Sequence, residues 1–196
     1  MPRFFFNDPQ ETTKDAFLLR QEGSTFSYPE LAATKAELPS GYNHDHNSVC
    51  LGQGRAIFER SCTALKQWKQ FPDWVQIHPN VAPLEKGMVV GLFFRVFGLY
   101  WTSACRIVYT FAEQDRFGFA YGTLPAHMER GEECFWIEFR EDGSVWYHIR
   151  AFSRPAFWLV RLVKPIARRF QARFVRDSQQ AMLKWARDLK VQHENT

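Results

Sequence analysis

Long hydrophobic runs, paired cysteines and a strong charge of one sign are all missing from this chain. Among 196 residues, 25 Lys and Arg stand against 21 Asp and Glu, a net charge of +4. That is too even for the basic footprint of a nucleic-acid-binding domain, so no nucleic-acid partner is expected. The four cysteines, Cys50, Cys62, Cys105 and Cys134, are widely spaced and form no C-x-x-C. A chain of this length buries roughly 70% of its unfolded surface and needs no disulfide, so four reduced, mostly buried thiols are expected. The first residues, MPRFFFND, hold three consecutive apolar side chains before a polar pair, too short a run for a signal peptide. The most apolar window, residues 88–105, is broken by Gly91, Arg95 and Gly98 and is too short to span a bilayer comfortably. A single-domain, soluble, cytoplasmic protein is the expectation. Nucleotide loops are lacking too: Gly52-Gln-Gly54 precedes a helix, but Ile57 stands where a dinucleotide fingerprint needs glycine, and no Lys-Ser pair follows. No cofactor is implied.

What the chain has in quantity is aromatic residues, 16% of the total, with 19 Phe among them. Each aromatic side chain buries about 150–250 Å² and needs a thick core or a pocket. Asn7-Asp8-Pro9 reads as an N-cap and early proline for a helix that Gly23 stops, so residues 1–25 form a helical extension. Residues 24–48 lack periodicity and read as a surface connector. A short strand at 48–51 leads through the Gly52–Gly54 turn into a helix over 56–70 with one apolar stripe. Residues 74–78, 88–94, 104–111, 117–123, 133–140 and 144–152 read as strands, and Asp115-Arg116 and Glu141-Asp-Gly143 as hairpin turns. Phe117, Phe119 and Tyr121 alternate with Gly118, Ala120 and Gly122, leaving one side bare for a close approach. Ser153 as N-cap and Pro155 behind it open a closing helix over 153–190. Its stripe runs through Leu159, Leu162, Val163, Ile166, Phe170, Phe174, Ala181, Met182, Trp185 and Leu189, with a kink expected at Pro165. The order predicts an α+β fold, a curved antiparallel sheet of six or seven strands gripping a long C-terminal helix.

The run from Phe119 to Glu133, FAYGTLPAHMERGEE, resembles the central signature of the family known as domain of unknown function 1990. Gly41-Tyr42 leading to Leu51-Gly-Gln-Gly54, Cys105-Arg-Ile-Val-Tyr109 and Ala151-Phe-Ser-Arg-Pro155 fit the same family, collinear over roughly residues 26–190. Ala126 and Met128 stand where glycine and proline are expected, so the turn at His127 is shaped differently. The family resembles the START and birch-pollen-allergen superfamily of helix-grip folds. That likeness implies an apolar guest held between sheet and C-terminal helix, and it implies no particular reaction.

Candidate site residues follow from the same stretches. His127, Glu132 and Glu133 lie close together in the loop after Tyr121 and Thr123, and a histidine within reach of a carboxylate is an acid–base pair. The competing reading is a hairpin connection whose glutamates cap amides or meet Arg106. Arg106 alternates away from Ile107 and Tyr109 and could hold a guest's carboxylate with two hydrogen bonds. Phe94, Tyr109, Tyr121, Trp136 and Trp146 are candidate lining residues, and His148 shares a face with Trp146 and Arg150. His44-Asp-His46 has the alternation of a metal site, but its third ligand is absent unless distant His78 or His127 supplies it, so a solvated turn and no metal are expected. Three functions remain open: a binding protein for a small apolar or amphipathic molecule, with Arg106 or His127 as polar anchor; a hydrolase, cyclase or isomerase using His127 with Glu132 or Glu133; and an interaction module whose basic helix (Arg161, Lys164, Arg168, Arg169, Arg173, Arg176) meets an acidic partner or membrane surface. Membrane contact is disfavoured because the helix's apolar stripe must be buried, and the sheet is there to bury it.

Overall fold

Strand alternation decides which side chains face the helices. The computed structural model describes residues 4–80, 82–96, 98–157 and 164–187, with the side chains of the last segment from Arg168 onward. Eight strands, β1 (Phe4–Phe5), β2 (Asn43–Gln53), β3 (Val75–His78), β4 (Val89–Val96), β5 (Leu99–Ala112), β6 (Arg116–Thr123), β7 (Glu129–Phe139) and β8 (Ser144–Pro155), form one antiparallel sheet. Its order is β2-β8-β7-β6-β5-β4-β3, with β1 paired to β5. Strands β3 to β8 follow one another as hairpins, while β2 lies beside β8 at the far edge. Helix α2 (Arg55–Lys66) therefore carries the chain from one edge of the sheet to the other. Both α2 and the long α3 (Lys164–Arg187) cover the inner face. Phe58, Cys62 and Leu65 of α2 and Met182 and Ala186 of α3 pack there with Phe119, Phe135, Ile137 and Tyr147. Each large apolar side chain buried in this way contributes about 1.5–3 kcal/mol. This is a helix-grip arrangement. No described helix is long and apolar enough to cross a membrane.

The outer face is covered by the chain's own N-terminal part. Helix α1 (Glu11–Glu22) sets Phe17 and Leu18 against Val89, Phe93 and Ala104. The guanidinium of Arg106 donates to the carbonyls of Gln21 (3.1 Å), Glu22 (2.6 Å) and Ser24 (2.7 Å). A cation there satisfies carbonyls at the negative end of α1. The following connector lies across β6 and β7. A Cβ on Gly122 would sit 2.1 Å from the Tyr28 hydroxyl, so the bare side of β6 admits the protein's own tyrosine. Tyr28 donates to Glu132 at 2.8 Å, as does the amide of Ala32 at 2.8 Å. Thr34 adds its amide at 3.1 Å and its hydroxyl to the same carboxylate. Four donors from one connector thus converge on one buried acid.

Several expectations are corrected here, each by pairing. Strand β2 begins at Asn43, because its ladder with β8 runs from Asn43 opposite Ser153 to Gln53 opposite Ser144. His44 and His46 therefore sit on a strand and not in a solvated turn. Ser153 and Pro155 belong to β8: Ser153 pairs with Asn43 and Gly131, and Pro155 pairs with Glu129. Ladders on both sides override the local cap signal, so the closing helix does not start at 153. Arg161, Leu159, Leu162, Val163, Leu189 and the stretch leading into Pro165 lie outside the described residues, as does the side chain of Ile166. Within α3, Trp185 is 39% exposed, and Ala186 is buried in its place. Helix α1 is preceded by Gln10, without a side-chain cap from Asn7 or Asp8. A bulge between Ile107 and Tyr109 turns Tyr109 to the outer face, where it joins Val108 and Ala120.

Because Glu132 satisfies four buried donors, Glu132→Ala strands all of them. It should lower unfolding stability in urea by about 3 kcal/mol or more, with early tryptic cleavage at Lys35. Glu132→Gln, which keeps one acceptor oxygen, should cost less. Equal and negligible losses for both would show that the connector is held by packing alone.

Candidate functional site

The inner face is solidly packed at one end and hollow at the other. Around Trp68, Phe119, Tyr147 and Met182 the side chains interlock, whereas beneath the N-terminal half of α3 a cavity of about 1100 Å³ remains. Its walls differ in character because they come from different strands. From β3, β4 and β5 come Val75, Leu92, Phe94, Val96 and Trp101. Phe71 and Trp74 ahead of β3, and Phe170, Phe174 and Val175 of α3, complete an apolar wall. From β2, β7 and β6 come Asp45, Glu133 and Tyr121, which lie in one cross-strand row through Ala151. Glu129, on the same strand parity as Glu133, extends that polar wall. The cavity is amphipathic by construction.

Hydrogen bonds organise the polar end. Tyr121 donates its hydroxyl to Glu133 at 2.7 Å. Arg168 of α3 binds Asp45 of β2 with two bonds, of 2.8 and 2.9 Å, strapping helix to sheet. Such a fork is stronger than a single contact, but this one is solvent-accessible and its worth correspondingly reduced. The second carboxylate oxygen of Glu129 is buried with no hydrogen-bond partner. Burial pushes the Glu133 carboxyl up to about 7, against the lowering effect of the Tyr121 hydroxyl. Burial likewise raises Glu129 to about 7, opposed by Ser153 and Arg168. His127 is pulled down to about 4 by burial, so its ring is neutral at pH 7. Its Nδ1 accepts the backbone N–H of Glu129 at 3.0 Å, an interaction that shapes the β6–β7 connection.

Of the residues singled out from sequence, Phe94, Tyr121, Thr123, His127 and Glu133 line the cavity together. Glu132 borders it only through its backbone, since its side chain holds the connector on the outer face. Arg106, Tyr109, Trp136 and Trp146 are placed on the outer face, away from the cavity. Arg106 is there by strand parity and Tyr109 because of the bulge. Trp136 stacks on His148 at 4.5 Å between ring centroids, and Arg140 lies 4.4 Å above Trp146. His46 stacks beside Trp136, and His44 bonds the carbonyl of Pro39 at 2.7 Å. No group of three or more His, Cys, Asp or Glu among the described residues is arranged to hold a metal. Glu129 and the Asp45–Arg168 pair are the polar features that sequence reasoning missed. Extending β7 back to Glu129 would have shown Glu129 and Glu133 on one face.

The raised carboxyls have a consequence for stability. A carboxyl whose pKa rises on folding favours the folded state while protonated, and that contribution is lost as pH rises from about 4.5 through 7. His127 acts in the opposite sense, losing stability as pH falls from 6.5 toward 4. Comparison with a variant isolates one group. Glu133→Gln should gain stability relative to the parent between pH 5 and pH 8, by up to about 3 kcal/mol, in urea titrations. A pH-independent difference would place Glu133 in contact with water.

The family model Domain of unknown function (DUF1990) matches residues 27–181. A UPF0548 protein from Dictyostelium discoideum is 35% identical over 204 residues, covering 92% of this chain and 94% of its own. A UPF0548 protein from Deinococcus radiodurans is 34% identical over 186 residues, covering 88% and 93%. Among solved structures, hypothetical protein jhp0584 from Helicobacter pylori superposes with a TM-score of 0.57 at 11% identity, over 83% of this chain and 96% of that one. At such identity the likeness is one of fold. With most of its length matched by the model and by relatives at this level, the chain belongs to the domain of unknown function 1990 family.

Proposed function

We propose that this protein binds a small amphipathic molecule in the cavity between the sheet and α3. The observation that carries the reading is the two-sided wall of the 1100 Å³ hollow that the described residues enclose. An apolar body would lie against Leu92, Phe94, Trp101 and Phe174, and a polar head would meet Tyr121, Glu133 and Glu129. Ligand sites are commonly concave and mostly apolar with a few convergent polar groups, and this one fits that description. A guest of about 25 heavy atoms at about −0.3 kcal/mol each would gain roughly −7.5 kcal/mol, a low-micromolar affinity. The polar anchor is Glu133 with Tyr121. Arg106 is occupied by α1, and His127 by its own backbone turn.

One observation favours a catalytic variant of the same reading. A buried carboxyl poised near neutrality beside a tyrosine is suited to proton transfer. Such chemistry would run through Glu133 and Tyr121, because Glu132 faces the other side of the sheet. The basic-helix reading has less support: Arg168 is engaged by Asp45, and Arg173 and Arg176 by Asp177.

Native mass spectrometry of gently purified protein should reveal a bound species of a few hundred daltons, or stoichiometric uptake of an apolar fluorophore. Ala151→Phe, which projects a ring from β8 into the polar end, should weaken that uptake at least roughly tenfold with the circular-dichroism spectrum unchanged. Guest recovered chemically unaltered speaks for carriage, and altered guest for catalysis. Absence of any guest together with no uptake by the parent protein would sink both.

A further inference from the structure

Charge bookkeeping around the cavity narrows the guest's chemistry, on the assumption that the cavity is a binding site at all. The charged residues lining it, among those described, are Asp45, Glu129, Glu132, Glu133, Arg168 and Arg176. Arg168 is neutralised by Asp45 through two bonds, and Arg176 is paired to Asp177 at 3.2 Å. The Glu132 carboxylate is turned to the outer face and takes its four donors there. What remains is Glu129 and Glu133, neither with an ion-pair partner among the described residues. Among the described residues, one oxygen of Glu129 is buried with nothing to bond it, and Glu133 has only the Tyr121 hydroxyl. A buried, unpartnered acceptor is costly, and a donor from a guest relieves that cost.

We infer that the guest carries a basic nitrogen, which enters as a cation at the polar end that Glu129 and Glu133 form, its hydrocarbon part lying on the Phe94–Trp101–Phe174 wall. The alternatives fail on the same residues. A carboxylate or phosphate head would meet two acids and, among the described residues, no unpaired base. A neutral hydroxyl could donate to one carboxyl but would leave the second unsatisfied. Cys105, Tyr121 and Tyr147 close to Glu133 carry no charge, since burial raises the pKa of all three. His127 is neutral as well.

Binding is then linked to protons. Below pH 7 the two carboxyls are largely protonated and offer no charge, whereas an alkylamine remains cationic throughout. Seating the cation favours ionised carboxylates, so protons leave Glu129 and Glu133 for solvent, and affinity rises with pH from 6 to 8. Asp45, Arg168 and Arg176 face the same end, Arg168 bound to Asp45 and Arg176 to Asp177.

The test uses the full chain with n-decylamine, n-decanol and decanoic acid, three probes differing only at the head. Titration calorimetry at pH 6, 7 and 8 should show the amine at least tenfold tighter than the alcohol at pH 8, with the gap narrowing at pH 6 and the acid weakest. Measured in two buffers of different ionisation heat, the unmodified protein should release about one proton per amine bound at pH 7. Glu129→Gln/Glu133→Gln should bring the amine to the alcohol's level. If the alcohol or the acid binds as tightly as the amine, or no proton is released, the cationic guest is excluded while the cavity reading stands. If none of the three binds, both fall.

Discussion

Adjacent glutamates on β7 point to opposite faces of the sheet, and the rest of the molecule depends on that alternation being held. Glu132 turns outward and gathers four donors from the connector, which closes the outer face. Glu133 turns inward and, with Tyr121, gives the cavity its polar end. A one-residue slip in the pairing of β7 would exchange the two, leaving the connector without its acceptor and the cavity without its acid. Pairing on both sides, with β6 from Arg116 opposite Glu138 to Gly122 opposite Glu132, and with β8 from Glu129 opposite Pro155 to Phe139 opposite Val145, prevents that slip.

Covering the outer face has a second effect. With α1, the connector and Arg106 occupied outside, Phe117, Phe119 and Tyr121 of β6 and Phe135 and Ile137 of β7 gather on the inner face. At one end they meet α2 and the later turns of α3 and fill the space. Toward the start of α3 the Asp45–Arg168 fork spans the gap between helix and sheet. Met182 and Ala186 sit over packed core, whereas Gln171, Ala172, Phe174 and Gln179 line the cavity.

How much of this was legible in the sequence depends on how local the signal was. The alternation of Phe117, Phe119 and Tyr121 with small residues gave the inner face of β6 outright, and Phe174 and Met182 gave the inner face of α3. The family likeness carried by residues 119–133 pointed to the right fold. Non-local pairing hid the rest. Ser153 and Pro155 have the chemistry of a helix start, yet two neighbouring strands claim them. Tyr109 shares sequence parity with Ile107, yet a single bulged residue sends it to the other face, where Thr34 bonds its hydroxyl at 2.7 Å. Glu132 was read as a catalytic candidate because nothing local shows that Tyr28 and Thr34, some hundred positions earlier, would claim its oxygens.

Occupancy of the hollow can be seen directly through its tryptophans. Trp74 and Trp101 line it, whereas Trp68 is packed in the solid core and Trp146 lies on the outer face. In protein labelled with 5-fluorotryptophan, fluorine NMR during addition of an amphipathic amine should move the Trp74 and Trp101 resonances and leave those of Trp68 and Trp146 in place. Movement of Trp146 alone, or no movement at saturating amine, would contradict a guest seated beneath α3.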